Sequence, residues 1–138
     1  MKQAFHTISV STRGPGLTEF TDAALDFVRD ANIADGLLTC FIRHTLASLL
    51  IQENADPDVQ KDLRDFFHWL ATSGPGFRHT TEGPDDMPSH IRSALTQTSL
   101  SIPLHKGRLA LGTWQGIYVF EHRDAPHWRE VMLHLIGE

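Results

Sequence analysis

The chain has 138 residues, of which 41% are hydrophobic and 21% charged, a composition typical of one globular domain spanning residues 1–138. Its formal net charge of -5 is the wrong sign for the broad basic surface of a nucleic-acid binder, so no nucleic-acid partner is expected. No apolar segment has the length of a membrane span, and the N-terminus lacks the apolar core of a signal peptide, so we expect a cytoplasmic protein with no membrane partner.

Seven segments of the chain have the residue patterns of strands. Apolar runs, alternating or continuous, are bounded by Gly, Pro, Asn and Asp in the way that strands usually are. The predicted strands cover residues 3–11, 37–45, 47–53, 99–105, 108–113, 116–122 and 129–136. The lone cysteine, Cys40, lies within one of these runs and is expected to be a buried small hydrophobe.

Three further segments have the residue spacing of helices with one apolar face. Thr18 or Thr21 is expected to cap the first helix. The second helix begins near Asp56-Pro57, where aspartate and proline suit a first turn. Its buried stripe is predicted to consist of Val59, Leu63, Phe66, Phe67 and Leu70. The third helix opens at Asp85-Asp86. Strands and helices without a regular βαβ alternation indicate an α+β fold with a mostly antiparallel or mixed sheet.

An excess of histidine, nine in all, is the first indication of chemistry. His79 and His90 flank the adjacent carboxylates Asp85 and Asp86 in the polar block 78–90. A loop imidazole and a helix imidazole can converge on one metal ion; imidazole suits zinc, and carboxylate suits Mg²⁺ or Mn²⁺. The alternative is that the aspartates only cap the helix and that the histidines are ordinary surface residues.

Polar residues at the ends of two predicted strands form further candidates. His44 ends one strand, where it either faces a cleft or forms a hydrogen bond in the core. Glu53 and Asn54 end the next, and Asp62 follows on the second helix. Acids there could orient an imidazole or move a proton, but a solvated acidic helix face is the alternative.

The segment 107–116 is a candidate phosphate site. Arg108 can grip a phosphate with two parallel hydrogen bonds. Gly112 and Gly116 permit close approach of the backbone or tight turns. The alternative is a plain hairpin in which Trp114 serves as an aromatic plug.

Three blocks in this order resemble the YjbQ-like family, which carries the name secondary thiamine-phosphate synthase. They read HTLASLLIQENADPDVQKDL (44–63), HTTEGPDDMPSHIRSAL (79–95) and SLSIPLHKGRLALGTWQGIYVFEHR (99–123). The resemblance extends from residue 3 to 136. It implies a β-sandwich-like mixed sheet with about three helices, assembled as a homotrimer, and a polar pocket at or near the subunit interface.

The resemblance also implies a set of site residues. His44, His79 and His90 would ligate a divalent metal, zinc by their chemistry or Mg²⁺ with a diphosphate substrate. The implied catalytic acids are Glu53, Asp62, Asp85 and Asp86. The implied phosphate-binding residues are Arg108, Asn54, Gly112, Thr113 and Gln115. One departure is Leu46, which stands where the family often has a hydroxyl residue.

The reaction implied by the resemblance joins a pyrimidine methyl diphosphate to a thiazole phosphate and releases diphosphate. Positive groups should meet the charge that develops on the leaving diphosphate, and the candidates are the metal, Arg108, Arg43 and Arg92. Two alternatives remain open. One is a metal-dependent hydrolase of a small phosphorylated metabolite, and the other is a trimer that binds a metal or small ligand without catalysis.

Overall fold

Eight strands and three helices make up the chain, which a computed structural model describes over residues 1–138. The strands are β1 (Lys2–Thr12), β2 (Gly16–Glu19), β3 (Gly36–Ile42), β4 (Ala47–Glu53), β5 (Ser99–His105), β6 (Arg108–Leu109), β7 (Gln115–Glu121) and β8 (His127–Gly137). The helices are α1 (Thr21–Ala31), α2 (Pro57–Leu70) and α3 (Asp86–Leu95). None of these helices is both long and apolar enough to cross a membrane.

The strands form two sheets, and every pair of neighbouring strands within a sheet is antiparallel. A five-stranded sheet has the order β1-β8-β3-β5-β6, and a three-stranded sheet has the order β2-β7-β4. The predicted α+β fold with a mostly antiparallel, sandwich-like arrangement and three helices is therefore confirmed.

The core lies between the two sheets. Val131 and Leu133 of β8 alternate with more exposed residues, and they share one apolar cluster with Ile117 and Val119 of β7. This alternation arises because successive side chains of a strand point to opposite faces. Cys40 belongs to the same cluster, and burial raises the pKa of its thiol to about 12. The prediction of a buried, unreactive cysteine is confirmed.

The first helix begins at one of the two predicted threonines, Thr21, but that side chain does not cap it. Phe20 occupies the position before α1, and no side chain caps the helix there. Thr21 instead accepts a hydrogen bond from the backbone N–H of Ile117 at 2.9 Å and donates one to Glu19 at 2.7 Å. Thr21 therefore ties α1 to β7, and the predicted threonine cap is wrong.

The second helix begins at Pro57, where Asp56 caps it by accepting from the backbone N–H of Asp58 at 2.9 Å. The predicted buried stripe is wrong, since no residue of α2 is buried. Phe67 packs edge-on against Phe120, with ring centroids 5.1 Å apart. Phe66 remains 52% exposed because α2 covers the three-stranded sheet from outside, with no further layer above it.

Several strand bounds differ from the predicted ones. Strand β2 was not predicted, because a four-residue strand with two polar residues leaves little periodic signal. The strand expected over 108–113 is only the two-residue β6. It forms a hairpin with β5 through Lys106 and Gly107, both with positive φ, as a tight two-residue hairpin requires.

Candidate functional site

Two imidazoles face one carboxylate oxygen at the start of α3. Asp86 and His90 are four residues apart and therefore lie on the same face of the helix. Oδ2 of Asp86 lies 2.7 Å from Nε2 of His79, which comes from the preceding loop, and 3.3 Å from Nε2 of His90. The two imidazole rings are 5.4 Å apart between centroids. The predicted convergence of a loop histidine with a helix histidine is thus present in the structure.

Asp86 is the fixed centre of this group. Its side chain is 2% exposed, whereas those of His79 and His90 are 48% and 34% exposed. Its other oxygen, Oδ1, accepts a hydrogen bond from Nη1 of Arg123 at 2.9 Å. One carboxylate oxygen is therefore held by the guanidinium while the other faces the imidazoles.

Arg123 also binds the neighbouring carboxylate. It donates to both oxygens of Asp85, at 3.0 and 3.2 Å, and to the carbonyl of Glu82 at 3.0 Å. The Arg123 guanidinium, helped by the backbone N–H of Asp124, holds the pKa of Asp85 below its usual range. Asp85 stands at the N-cap position of α3 but makes no side-chain cap hydrogen bond. The alternative in which this aspartate merely caps the helix is therefore wrong.

The chemistry of these donors fits a divalent transition metal. One ligand atom from each of His79, Asp86 and His90 lies within 4.8 Å of the other two. Ordinary zinc bonds of about 2.0–2.2 Å separate two ligand atoms on one tetrahedral ion by about 3.3 Å. The contact between Asp86 and His90 has this length, whereas the contact of 2.7 Å between Asp86 and His79 is that of a hydrogen bond. Two imidazoles and a carboxylate leave a fourth position open.

A cavity of about 300 Å³ lies beside one member of this cluster. His79 lies in its wall. The wall is also formed by Ser73, Gly74, Phe77, Thr80, Gly83, Pro84 and Met87.

His44 lies in a different cavity of the same chain. Its Nε2 accepts a hydrogen bond from the backbone N–H of Glu130 at 2.8 Å. Burial, and then the charge of Arg129, lower the pKa of His44. The surrounding cavity, of about 570 Å³, also contains Arg43 and Leu46 in its wall. Within one chain Asp86, rather than His44, supplies the third ligand atom of the cluster, and convergence across a subunit boundary stays a prediction.

Four of the predicted residues gather at one end of the three-stranded sheet. Glu53 is paired in register with Gln115, and Asn54 donates its backbone N–H to the carbonyl of Trp114 at 2.9 Å. The side chain of Gln115 accepts from the N–H of Gly112 at 2.7 Å. These contacts bring Glu53, Asn54, Gly112 and Gln115 together, and we name them the Glu53 group.

The Glu53 group and the histidine cluster lie at opposite ends of β7. Gln115 begins this strand, whereas Arg123 follows its last residue, Glu121, by two positions. Gln115 and Glu121 are six residue steps apart along the strand, a span of about 20 Å. Thr113 and Trp114 are exposed near the Glu53 group, and Trp114 is 63% exposed, so its predicted role as an aromatic plug is wrong.

Three other predicted residues stand apart from both groups. Asp62 is exposed on α2, and Arg108 is exposed on β6, where it pairs in register with His105. Arg92 is buried and donates to the carbonyls of Phe67, Ala71 and His122. Arg92 is therefore bound mainly to backbone carbonyls in this chain, and its expected contact with a diphosphate stays a prediction.

Sequence reasoning missed a buried ion pair that joins the two sheets. Glu121 ends β7, and its carboxylate accepts from Nε and Nη2 of Arg129 at 2.8 and 2.7 Å, and from the hydroxyl of Thr12 at 2.6 Å. Burial opposes ionisation, but Arg129, Thr12 and a backbone N–H together lower the pKa of Glu121. The one sequence signal was a Glu-His-Arg run at the end of a buried strand.

His122 is the second residue that sequence reasoning missed. Its side chain is fully buried, and Nε2 lies 2.9 Å from the hydroxyl of Ser48. Nδ1 is buried without a hydrogen-bond partner. Burial, followed by the nearby charge of Arg92, lowers the pKa of His122 to about 3. The fold therefore favours the neutral form of His122.

Comparison with known proteins finds relatives that all carry the same family name. The family model described as UPF0047 protein YjbQ-like matches residues 6–138. The chain is 51% identical to UPF0047 protein sll1880 of Synechocystis, over 99% of this chain and 94% of that protein. It is 41% identical to UPF0047 protein YjbQ of Escherichia coli O157:H7, over 96% of both chains.

Solved structures have the same fold. A YbjQ-like protein of unknown function from Sulfolobus solfataricus superposes with a TM-score of 0.90 over 99% of both chains, and its 22% identity bears on the fold alone. An uncharacterised protein of the yjbq/upf0047 family from Clostridium acetobutylicum gives 0.87 at 32% identity, over 95% of this chain and 99% of that chain. The chain therefore belongs to the UPF0047, or YjbQ-like, family.

Proposed function

We propose that this protein is a divalent-metal-dependent enzyme that acts on a phosphorylated small molecule. The observation that carries the proposal is the approach of His79, Asp86 and His90, whose ligand atoms lie within 4.8 Å of one another. The cavity of about 300 Å³ with His79 in its wall supports it, because a substrate bound there would lie beside one of the candidate ligands. Zinc is the metal that best suits this mixture of imidazole and carboxylate.

The reaction we propose is the one implied by the family resemblance. The thiazole nitrogen of one substrate forms a bond to the pyrimidine methylene carbon of the other, and the bond from that carbon to the diphosphate oxygen breaks. The electron pair of the broken bond leaves with the diphosphate. A bound metal would supply positive charge where the leaving group becomes more negative.

The chain's own residues hold the site ready for this chemistry. Arg123 binds one oxygen of Asp86 and thereby keeps the other oxygen directed at the imidazoles. Asp85 binds the same guanidinium and so fixes its position. The two exposed imidazoles stand on the solvent side, while the buried carboxylate anchors them from below.

A second candidate function rests on the donor set itself. Two histidines and one carboxylate, with an open position, are the ligands of several hydrolytic zinc enzymes. In that case water would replace the thiazole as the acceptor, and a phosphorylated metabolite would release its phosphate. Metal binding without turnover of any substrate would support the non-catalytic alternative.

We also propose that the protein assembles as a homotrimer. The outer face of the five-stranded sheet exposes Phe5 (65%), Leu37 (39%), Phe41 (46%) and Trp128 (70%). The solvent face of an antiparallel sheet is ordinarily polar, so this apolar face favours a partner. Assembly would also allow the Glu53 group of one subunit to approach the histidine cluster of another, which one chain keeps apart.

Turnover by purified protein tests the proposed activity. The two phosphate substrates are supplied with zinc or Mg²⁺, and diphosphate release is measured for the wild type, His79→Ala and His105→Ala. His105 is the control because it also contacts an aspartate, Asp35 at 2.7 Å, but on an open surface. We expect His79→Ala to lose at least 100-fold and His105→Ala to match the wild type.

The same assay separates the candidates. Phosphate release from single metabolites, abolished by chelator, would favour the hydrolase. Equal diphosphate release by wild type and His79→Ala would contradict the proposed site.

Light scattering tests the proposed trimer. It should give three times the monomer mass for the wild type and a smaller mass for Phe41→Asp. A monomeric wild type would contradict the trimer.

A further inference from the structure

A second cavity, of about 500 Å³, lies between the turn after β1 and the exposed side of α2. Only one of its 11 lining residues, Leu17, is hydrophobic. Arg13 comes from the turn, and Lys61 and Arg64 come from successive turns of α2. Hydroxyl and amide groups complete the wall through Ser11, Thr18 and Gln60.

The cations of this cavity are only partly neutralised. Lys61 pairs with Asp65 at 2.7 Å, and Arg64 shares the same carboxylate at 3.4 Å. Arg13 forms no ion pair at all. The charge of Asp62 also raises the pKa of Lys61, but less than Asp65 does. The cavity therefore has an excess of positive charge in a chain whose net charge is -5.

The turn that forms the floor of the cavity requires its glycines. Gly14 and Gly16 have φ of 124° and 132°, a region that residues with side chains rarely adopt. The aliphatic stem of Arg64 lies across the turn, 3.6 Å from where a side chain on Gly16 would begin. The turn and the helix are thus shaped to leave a concave basic surface between them.

We propose that this cavity binds a phosphorylated, hydroxyl-rich small molecule. Arginine is the side chain best suited to a phosphate because its planar fork donates two parallel hydrogen bonds. A volume of 500 Å³ exceeds what a phosphate group alone needs and falls within the range of small-molecule sites. The hydroxyl and amide groups of the wall favour a sugar-like body, and the wall has no aromatic side chain to stack against a flat ring.

This site is separate from the histidine cluster and does not depend on the proposed function. The two cavities share no lining residue. Their one link is Asp124, whose carbonyl is 3.0 Å from where a side chain on Gly14 would begin and whose N–H binds Asp85. A variant of the histidine cluster should therefore leave binding in the basic cavity unchanged.

Calorimetric titration with ribose 5-phosphate tests the inference, with ribose and inorganic phosphate as partial probes. We expect ribose 5-phosphate to bind the wild type, ribose to show no binding, and phosphate to bind more weakly. Arg13→Gln and Arg64→Gln should each weaken ribose 5-phosphate binding at least tenfold. Arg29→Gln is the matched control, because Arg29 is an exposed helix arginine paired with Asp26, away from the cavity.

Each alternative outcome has a defined meaning. Absence of ribose 5-phosphate binding at millimolar concentration would overturn the inference, as would unchanged binding in both cavity variants. Equal affinity for inorganic phosphate would overturn the hydroxyl-rich part. Binding that is lost in His79→Ala but kept in Arg13→Gln would assign the phosphate to the histidine cluster and overturn this second site.

Discussion

Nη1 of Arg123 lies 2.9 Å from Oδ1 of Asp86, and this ion pair determines how the candidate metal site is built. The two residues are 37 positions apart in the chain. The guanidinium occupies one oxygen of a carboxylate that is 98% buried, so only the other oxygen is available to His79 and His90. Arg123 is therefore a positioning residue, since it would act on a bound metal only through Asp86.

Replacing Arg123 should weaken both the fold and metal binding. Arg123→Gln leaves Asp86 buried without its cation, which should lower the free energy of unfolding by about 1–3 kcal/mol. Loss of an outer partner of a metal ligand ordinarily lowers metal affinity about 10–100-fold. Urea unfolding and zinc titration measure the two effects. Arg123→Lys keeps the charge but not the fork, so it should recover only part of each loss.

An unchanged zinc affinity in Arg123→Gln, with the expected loss of stability, would reduce Arg123 to a structural role. Arg29→Gln is the matched control, because Arg29 pairs with acids on an exposed helix face.

The buried pair of Glu121 and Arg129 should be important for stability. Glu121→Gln removes the charge while Arg129 stays buried, which should cost about 3–5 kcal/mol of the free energy of unfolding at pH 7. Glu121→Gln combined with Arg129→Met removes both charges and should cost less than the single change. A double variant as unstable as the sum of its parts would show that the two residues do not interact.

The ion pair of Glu121 and Arg129 also predicts how the stability lost in Glu121→Gln depends on pH. The folded state lowers the pKa of Glu121 from its ordinary value of 4.5, so the stability it contributes is present above that value. It is lost as the pH falls through the lower folded pKa, where the folded carboxylate takes up its proton. The difference between wild type and Glu121→Gln should therefore be constant at neutral pH and shrink below pH 4.5. A constant difference down to pH 2 would contradict the ion pair.

His122 should make the fold sensitive to mild acid. Its pKa is lowered from 6.5 to about 3, so between these values the unfolded chain binds a proton that the folded imidazole does not. The free energy of unfolding should therefore decrease as the pH falls below 6.5. His122→Gln removes that proton uptake, so its stability should decrease less steeply between pH 7 and pH 5. Equal slopes for the two proteins in urea unfolding would contradict this account.

Local patterns predicted the parts of the fold that depend on neighbours in sequence. His79 and His90 flank Asp85 and Asp86 at the start of a predicted helix, and this pattern located the cluster, although Asp86 was predicted as a catalytic acid and not as a metal ligand. Alternation along β8 and the continuous apolar run of β3 likewise predicted which elements form the core. These features depend on one helix face or one strand, and periodicity reports them directly.

Contacts between distant segments could not be predicted in the same way. Arg123 meets Asp86 only because β7 delivers it to the start of α3, and nothing local distinguishes it from other arginines. The apolar stripe of α2 predicted a buried face, yet Phe66 is exposed because one chain supplies nothing to cover it. His44 also lies apart from the cluster within one chain, and its convergence with His79 across a subunit boundary stays a prediction.

Zinc titration of the wild type against Asp86→Asn tests the central claim most directly. We predict that the wild type binds one zinc ion per chain and that Asp86→Asn weakens this at least 100-fold, because the buried carboxylate is the ligand both imidazoles face. His105→Gln, which alters an isolated contact between a histidine and an aspartate, should bind as the wild type does. Equal zinc affinity in wild type and Asp86→Asn, or no zinc binding by the wild type, would contradict the metal site.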